Sequence, residues 1–169
     1  MKTFFIADTH FSDKCILKYE NRPFKNAREM DVDITDRWNI VVGEKDVVYH
    51  LGDFGANKNL WGYLNSLNGI KILIKGNHDT ESNYTYRTSG FDEVYDHPII
   101  LDGFWMLSHE PLYVSSNMPY ANIFGHVHNS PFIKDFSSHH FCVSVERINY
   151  TPIDFDTIKR KIKEASLDE

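Results

Sequence analysis

Five times in this chain a short apolar run breaks off into side chains that a folded core does not choose for packing. Thr3 to Ala7 ends in Asp8-Thr9-His10, and Val47 to Leu51 closes in Gly52-Asp53. Ile70 to Ile74 stops, one lysine later, at Gly76-Asn77-His78-Asp79. Phe104 to Leu107 runs into Ser108-His109, and Ile123-Phe124 into Gly125-His126-Val127-His128. Glycine lets the backbone turn tightly and approach a ligand, while Asn offers a neutral oxygen, His a titratable nitrogen and Asp a charge. Read alone, any one of these is equally well a strand ending in a polar turn. Repetition favours chemistry over packing.

What stands between the runs fixes the fold class. Asn26 with Glu29 three residues on is a capping-box-like helix start, and Met30, Ile34, Trp38 and Val41 lay one apolar stripe until Gly43 ends it. Leu60, Leu64 and Leu67 repeat at the same period between Asn57 and Gly69. Strand, helix, strand, helix, strand predicts an α/β fold with parallel strands and crossover helices. Residues 80–92 have no clear period and read as a short helix or an irregular loop. Asp102-Gly103, between two apolar arms, signals a hairpin of type I′. Phe141, Val143 and Val145 alternate with Cys142, Ser144 and Glu146, which predicts a half-buried strand in a second sheet or at an edge. Asp154 caps a last helix with Phe155, Ile158 and Ile162 on one face.

At 169 residues the chain is expected to form a single domain, residues 1–169, with a sizeable core. A net charge of −6 argues against clinging to nucleic acid or anionic membranes through bulk electrostatics. It leaves a phosphate substrate open, because bound metal ions reverse the local sign. Cys15 and Cys142 have neither a CxxC partner nor zinc-finger spacing and read as reduced thiols. Phe4-Phe5-Ile6-Ala7 meets Asp8 too soon for a signal peptide, and no run approaches membrane-spanning length. The expectation is a cytoplasmic protein with no membrane partner.

In α/β sheets, ligands collect outside the carboxyl ends of the strands, so the five breaks can converge there. Asp-x-His and His-x-His suit metal binding, since alternate residues leaving a strand point to one side. Asp8, His10, Asp53, Asn77, His109, His126 and His128 are too many ligands for a single zinc-like ion. Two ions sharing one carboxylate use them all. Two divalent cations against two aspartates leave the pocket at roughly +2, suited to a phosphate ester.

These motifs resemble, in order and approximate spacing, the five motifs of the calcineurin-like metallophosphoesterases, over residues 8–128. The resemblance implies a four-layer α/β/β/α sandwich of two mixed sheets flanked by helices. It also implies a dinuclear centre with Asp8, His10 and His128 on one ion, Asn77, His109 and His126 on the other, and Asp53 bridging. Manganese is the first expectation for the metals, with Fe, Zn, Ni and Co also compatible with such mixed ligands. Val143-Ser144-Val145-Glu146 and Tyr150-Thr151-Pro152-Ile153 look like the ending of small phage- or bacteria-type members. One departure matters: Asp53 is followed by Phe54-Gly55-Ala56-Asn57, not the Val-Asp-Arg-Gly of the Ser/Thr protein phosphatase branch. Protein dephosphorylation by that branch's apparatus is therefore not expected, and short loops must choose the substrate.

The activity implied is hydrolysis of a phosphoester, a diester first and a monoester second, by a metal-bridging hydroxide. His78, which the family does not use as a principal ligand, is the candidate to contact the phosphate and protonate the leaving group. Asn77 and Arg22 are further substrate-binding candidates. Arg22, Lys14 and Arg87 lie on loops able to face the pocket, although a solvated charge is the plainer reading of each. Phe11, Tyr19 and Phe24 are able to stack a nucleobase or to pack under a loop, and Asp79 reads first as a turn-capping carboxylate. His50, His97, His139 and His140 read as ordinary surface or core histidines. The partner expected is a small phosphoester, nucleotides included. The rival readings are a nuclease for single-stranded or short nucleic acid and a non-catalytic scaffold of the same fold.

Overall fold

The computed structural model describes residues 1–55 and 60–167. In chain order it runs β1 (Thr3–Ile6), α1 (Ile16–Tyr19), α2 (Ala27–Val41), β2 (Val47–His50), α3 (Leu60–Ser66), β3 (Ile70–Ile74), α4 (Asn83–Ser89) and β4 (Glu93–Tyr95). There follow β5 (Ile99–Leu101), β6 (Trp105–Leu107), β7 (Ala121–Phe124), β8 (His140–Cys142), a 3-10 turn (Val145–Arg147), β9 (Ile153–Asp154) and α5 (Phe155–Ala165). One sheet has the order β4-β3-β2-β1-β9 and the other β5-β6-β7-β8. β1, β2, β3 and β4 are parallel, as the alternation of strand and helix predicts, and β9 adds an antiparallel edge. In the second sheet β6, β7 and β8 are parallel and β5 is antiparallel. These are the two mixed sheets with helices of the expected sandwich.

Period-2 burial along the strands builds two apolar clusters. Phe4, Ile6, Val48 and Leu73 face Met30, Ile34 and Trp38 of α2. Phe5, Leu51 and Ile74 face Leu107, Ile123 and Phe141 of the second sheet, with Ile158 and Ile162 of α5 completing that cluster. Each fully buried side chain of this size is worth roughly 1.5–3 kcal/mol. The sheets also touch through backbone: Ala7 N–H donates to Val143 O at 2.9 Å, so the carboxyl ends of β1 and β8 run side by side.

Several local readings are refined. Asn26 caps α2 by accepting the Glu29 N–H at 2.9 Å, but the Glu29 carboxylate takes the N–H of Lys25. The stripe of α2 ends on buried Val42, where the chain leaves the helix, and Val41 is exposed. The helix after β2 is described from Leu60; its expected start at Asn57 lies outside the described residues. Residues 83–89 are the short helix, capped by Ser82. The Asp102-Gly103 turn has both φ values positive, 52° and 70°, as a type I′ turn requires. The strand expected through Val145 stops at Cys142, and residues 145–147 coil into the 3-10 turn.

Candidate metal centre

Asp8, His10, Asp53, His126 and His128 all have left-handed backbones, with φ of 61°, 49°, 56°, 69° and 42°. The pairs at a spacing of two therefore do not leave their strands extended, and alternation along a strand is not what brings them together. A left-handed non-glycine residue costs on the order of 1–3 kcal/mol, tolerated where surrounding contacts dictate it. Here Asp8 N–H donates to Gly52 O and His10 N–H to Asp53 O, each at 3.0 Å. The Asp8 carboxylate in turn accepts the His126 N–H at 2.8 Å. At Gly76 a Cβ would stand 2.3 Å from Asp53 Oδ1 and 2.8 Å from His109 Cε1, so the loop passes the ligands with no room for a side chain.

The side chains gather into two sets. Ligand atoms of Asp8, His10 and His128 lie within 4.8 Å of one another, and so do those of Asp53, His109 and His126. Asp53 Oδ2 stands between the sets, 3.5 Å from His10 Nε2 and 3.4 Å from His109 Nε2. Asn77 Oδ1 is 3.0 Å from His109 Nε2, and His126 Nδ1 is 3.1 Å from the same nitrogen. A backbone carbonyl only accepts, so the 2.8 Å contact of His109 Nδ1 with Leu51 O puts a proton on Nδ1 and aims Nε2 at the other ligands. Asp8 Oδ1 and His10 Nε2 are buried with no hydrogen-bond partner. Buried polar atoms without partners are rare, and two within one cluster of mixed nitrogen and oxygen donors fit a divalent cation.

Electrostatics follow the same division. Burial pushes the Asp8 carboxyl up to about 6 and drives His10 down to about 4. Burial also lowers His126, helped by the charge on His109. For Asp53, burial opposes ionisation, but the hydrogen bond and charge of His109 with the His78 N–H outweigh it and hold the carboxyl well below its usual range. For His109, burial disfavours the cation, yet the Asp53 hydrogen bond and the charges of Asp8 and Asp53 lift it to about 9. Free of metal, the centre balances Asp53 with a proton on His109.

A family model for calcineurin-like phosphoesterases matches residues 1–166. The chain belongs to the calcineurin-like phosphoesterase family. It is 37% identical to an uncharacterised protein of Methanocaldococcus jannaschii over 98% of this chain and 94% of the relative. It is 34% identical to the gene 66 protein of Mycobacterium phage L5 over 46% of this chain and 39% of that one. Among solved structures, a protein of unknown function from Aquifex aeolicus superposes with a TM-score of 0.74 at 28% identity, covering 94% of this chain and 98% of the other. The Pseudomonas putida nuclease MPE shares the fold, with a TM-score of 0.52 at 19% identity over 75% of this chain and 60% of the nuclease.

Around this candidate metal centre the other residues separate. His78 is exposed at the mouth, its ring 5.4 Å from that of His10 and its N–H on Asp53 Oδ1 at 2.9 Å. Asn77 is exposed beside it and, with His109, lines a cleft of about 240 Å³ that Lys75, Pro98, Ser108 and Leu112 also border. Arg22 departs from both of its readings, since it is neither a solvated charge nor a grip for substrate. Its side chain is 0% exposed, and its nitrogens are spent on Glu146 and on the carbonyls of Asp8 and Thr9. Lys14 and Arg87 are exposed. Phe11 is buried against Tyr63, Phe24 packs on Tyr150, and only Tyr19 of the three aromatics is open to solvent. Asp79 is buried and bonded to backbone N–H groups, as its turn-capping reading expects. Glu146, which the sequence reading passes over as a strand residue, stands 3.0 Å from His128 Nδ1. The one signal for it is an acid that breaks an apolar run. No described helix is long and apolar enough to cross a membrane.

Proposed function

We propose that the protein hydrolyses phosphoester bonds, phosphodiesters ahead of phosphomonoesters, at a centre of two divalent metal ions, with Mn²⁺ as the first occupant to test. Asp8, His10 and His128 would hold one ion, Asn77, His109 and His126 the other, and Asp53 would serve both. The observation that supports this reading is the position of Asp53 Oδ2, 3.5 Å and 3.4 Å from the nearest histidine nitrogen of each set. When bound, such a pair supplies Lewis acidity to the phosphate and lowers the pKa of water.

The chain's own residues do the rest. His78 reaches the phosphate from the mouth and delivers a proton to the leaving oxygen, a contribution of roughly 10²–10⁴ in rate. Its backbone N–H, held on Asp53 Oδ1, ties that proton donor to the carboxylate shared by both sets. Asn77 and His109 face the cleft of about 240 Å³, which has room for a small ester substituent. The test is turnover of bis(4-nitrophenyl) phosphate by Mn²⁺-loaded protein, lost on chelation and in Asp53→Asn, and strongly reduced in His78→Ala. A matched panel of a phosphomonoester, a 2′,3′-cyclic nucleotide and single-stranded oligonucleotides ranks diester, monoester and nuclease activities. Metal-loaded protein that leaves every member of the panel intact would favour the scaffold reading.

A further inference from the structure

The 3-10 turn after β8 does more than end a strand. Glu146 Oε1 takes three donors at once: Arg22 Nε at 2.8 Å, Arg22 Nη2 at 2.7 Å and His128 Nδ1 at 3.0 Å. A carboxylate oxygen only accepts, so Nδ1 of His128 carries a proton and Nε2 is the nitrogen left to serve the centre. The same guanidinium donates from Nη2 to Asp8 O at 2.6 Å and from Nη1 to Thr9 O at 3.0 Å. It thus grips the left-handed Asp8-Thr9-His10 segment from behind. Arg147, the next residue, donates from Nε to His128 O, from Nη1 to Ile133 O at 2.9 Å and from Nη2 to Ser130 O at 2.7 Å. Ring and backbone of His128 are therefore both held from residues 146 and 147.

As a stability device this arrangement is poor. The Arg22 and Glu146 side chains are wholly buried, and removing two such charges from water costs several kcal/mol each, which their attraction offsets only with excellent geometry. Glu146 Oε2 is left buried without a partner, an omission that a purely structural pair has no reason to carry. What the pair does achieve is to lock together two ligand motifs more than a hundred residues apart, residues 8–10 and 126–128.

We propose that Glu146 and Arg22 are positioning residues that preorganise the Asp8, His10 and His128 set for its ion. The inference rests on the metal reading above and extends it to residues that touch no ion. Its test is calorimetric titration of metal-free protein with Mn²⁺, with the visible absorption of Co²⁺-loaded protein as a second readout. Glu146→Gln keeps the side chain's shape but loses the charge. The expected result is one binding step weakened roughly 10–100-fold, the other unchanged, an altered Co²⁺ spectrum and an unchanged far-ultraviolet circular dichroism spectrum. Arg22→Lys, which keeps the charge but loses the fork, is expected to weaken the same step, and it carries the comparison if E146Q does not fold. Two wild-type binding steps in these variants, or equal loss of both, would overturn the inference. Wild-type protein that takes up no Mn²⁺ would instead overturn the metal reading, and this inference with it.

Discussion

The carboxylate of Asp79 accepts the backbone N–H of Asp53 at 2.7 Å and that of Phe54 at 3.1 Å, joining two loops that enter the centre from β2 and β3. It also accepts the N–H of Gly76 at 2.9 Å, so one buried side chain sets the backbone on either side of Asp53. Asp79→Ala strands three N–H groups, each costing about 1–3 kcal/mol when buried and unpaired. The expected loss is at least about 3 kcal/mol in urea denaturation. Asp79→Asn keeps one accepting oxygen and should lose about half as much, retaining turnover in proportion to folded protein. Wild-type stability combined with abolished turnover in Asp79→Asn would make Asp79 a proton carrier and sink the turn-holding account.

The seven candidate ligands were legible because each follows an apolar run, and a core rarely chooses Asn-His-Asp or His-Val-His at such a point. Their geometry was less legible. Extended alternation accounts for Asp8 with His10 on paper, whereas the backbone is left-handed at both, held there by Gly52 and Asp53 far along the chain and by Arg22 in the following loop. Glu146 was hidden because Phe141, Val143 and Val145 alternate as a strand would, and only the turn after Cys142 shows otherwise. Arg22 was misread for a different reason. A cation in a loop is solvated by default, and the carboxylate that buries it lies 124 residues away.

Metal should stabilise the fold as well as serve chemistry. Asp8 Oδ1 and His10 Nε2 are unpartnered until something binds them, and the unfolded chain offers no such preassembled set. Free Mn²⁺ at about a hundred times its dissociation constant should add about 2.7 kcal/mol to the unfolding free energy. In thermal melts the midpoint should rise with Mn²⁺ and return to the metal-free value with a chelator. Asp53→Asn should abolish most of that rise. Identical melting curves for wild-type protein with and without Mn²⁺ would rule out binding at this centre.

His50 gives the protein an acid-sensitive joint. Its Nε2 lies 3.0 Å from Thr9 Oγ1, and that hydroxyl donates to Phe54 O at 2.7 Å, so Nε2 is the donor; Nδ1 has no partner. Burial holds this ring neutral and lowers its pKa to about 3 from an ordinary 6.5. The folded state thus binds fewer protons than the unfolded state between these values. The neutral ring's contribution is intact above pH 6.5 and is lost progressively as pH falls towards 3, at up to about 1.4 kcal/mol per pH unit. Glutamine offers an N–H near the position of Nε2 but does not titrate. Comparing urea denaturation of wild type with that of His50→Gln between pH 6 and pH 4 isolates the histidine, since the carboxylates are common to both. The variant's stability should fall less steeply by about 1.4 kcal/mol per unit, and parallel slopes would contradict the assignment.

Two glycines should respond in opposite directions to the same methyl group. At Gly76 a Cβ would meet Asp53 Oδ1 at 2.3 Å, Asp53 N at 2.7 Å and His109 Cε1 at 2.8 Å. One neighbour is backbone and the others are side chains of the candidate metal ligands Asp53 and His109, so relief has to displace one of them. At Gly62, in α3, a Cβ meets nothing within 4 Å, and alanine there removes a helix-interior glycine. Gly62→Ala should therefore gain up to about 1 kcal/mol. Gly76→Ala should lose Mn²⁺ affinity by at least tenfold in calorimetric titration, about 1.4 kcal/mol of binding free energy, even where it still folds. Wild-type Mn²⁺ binding by Gly76→Ala would mean that the loop can yield without moving Asp53 or His109, and that the close approach does not set the ligand geometry.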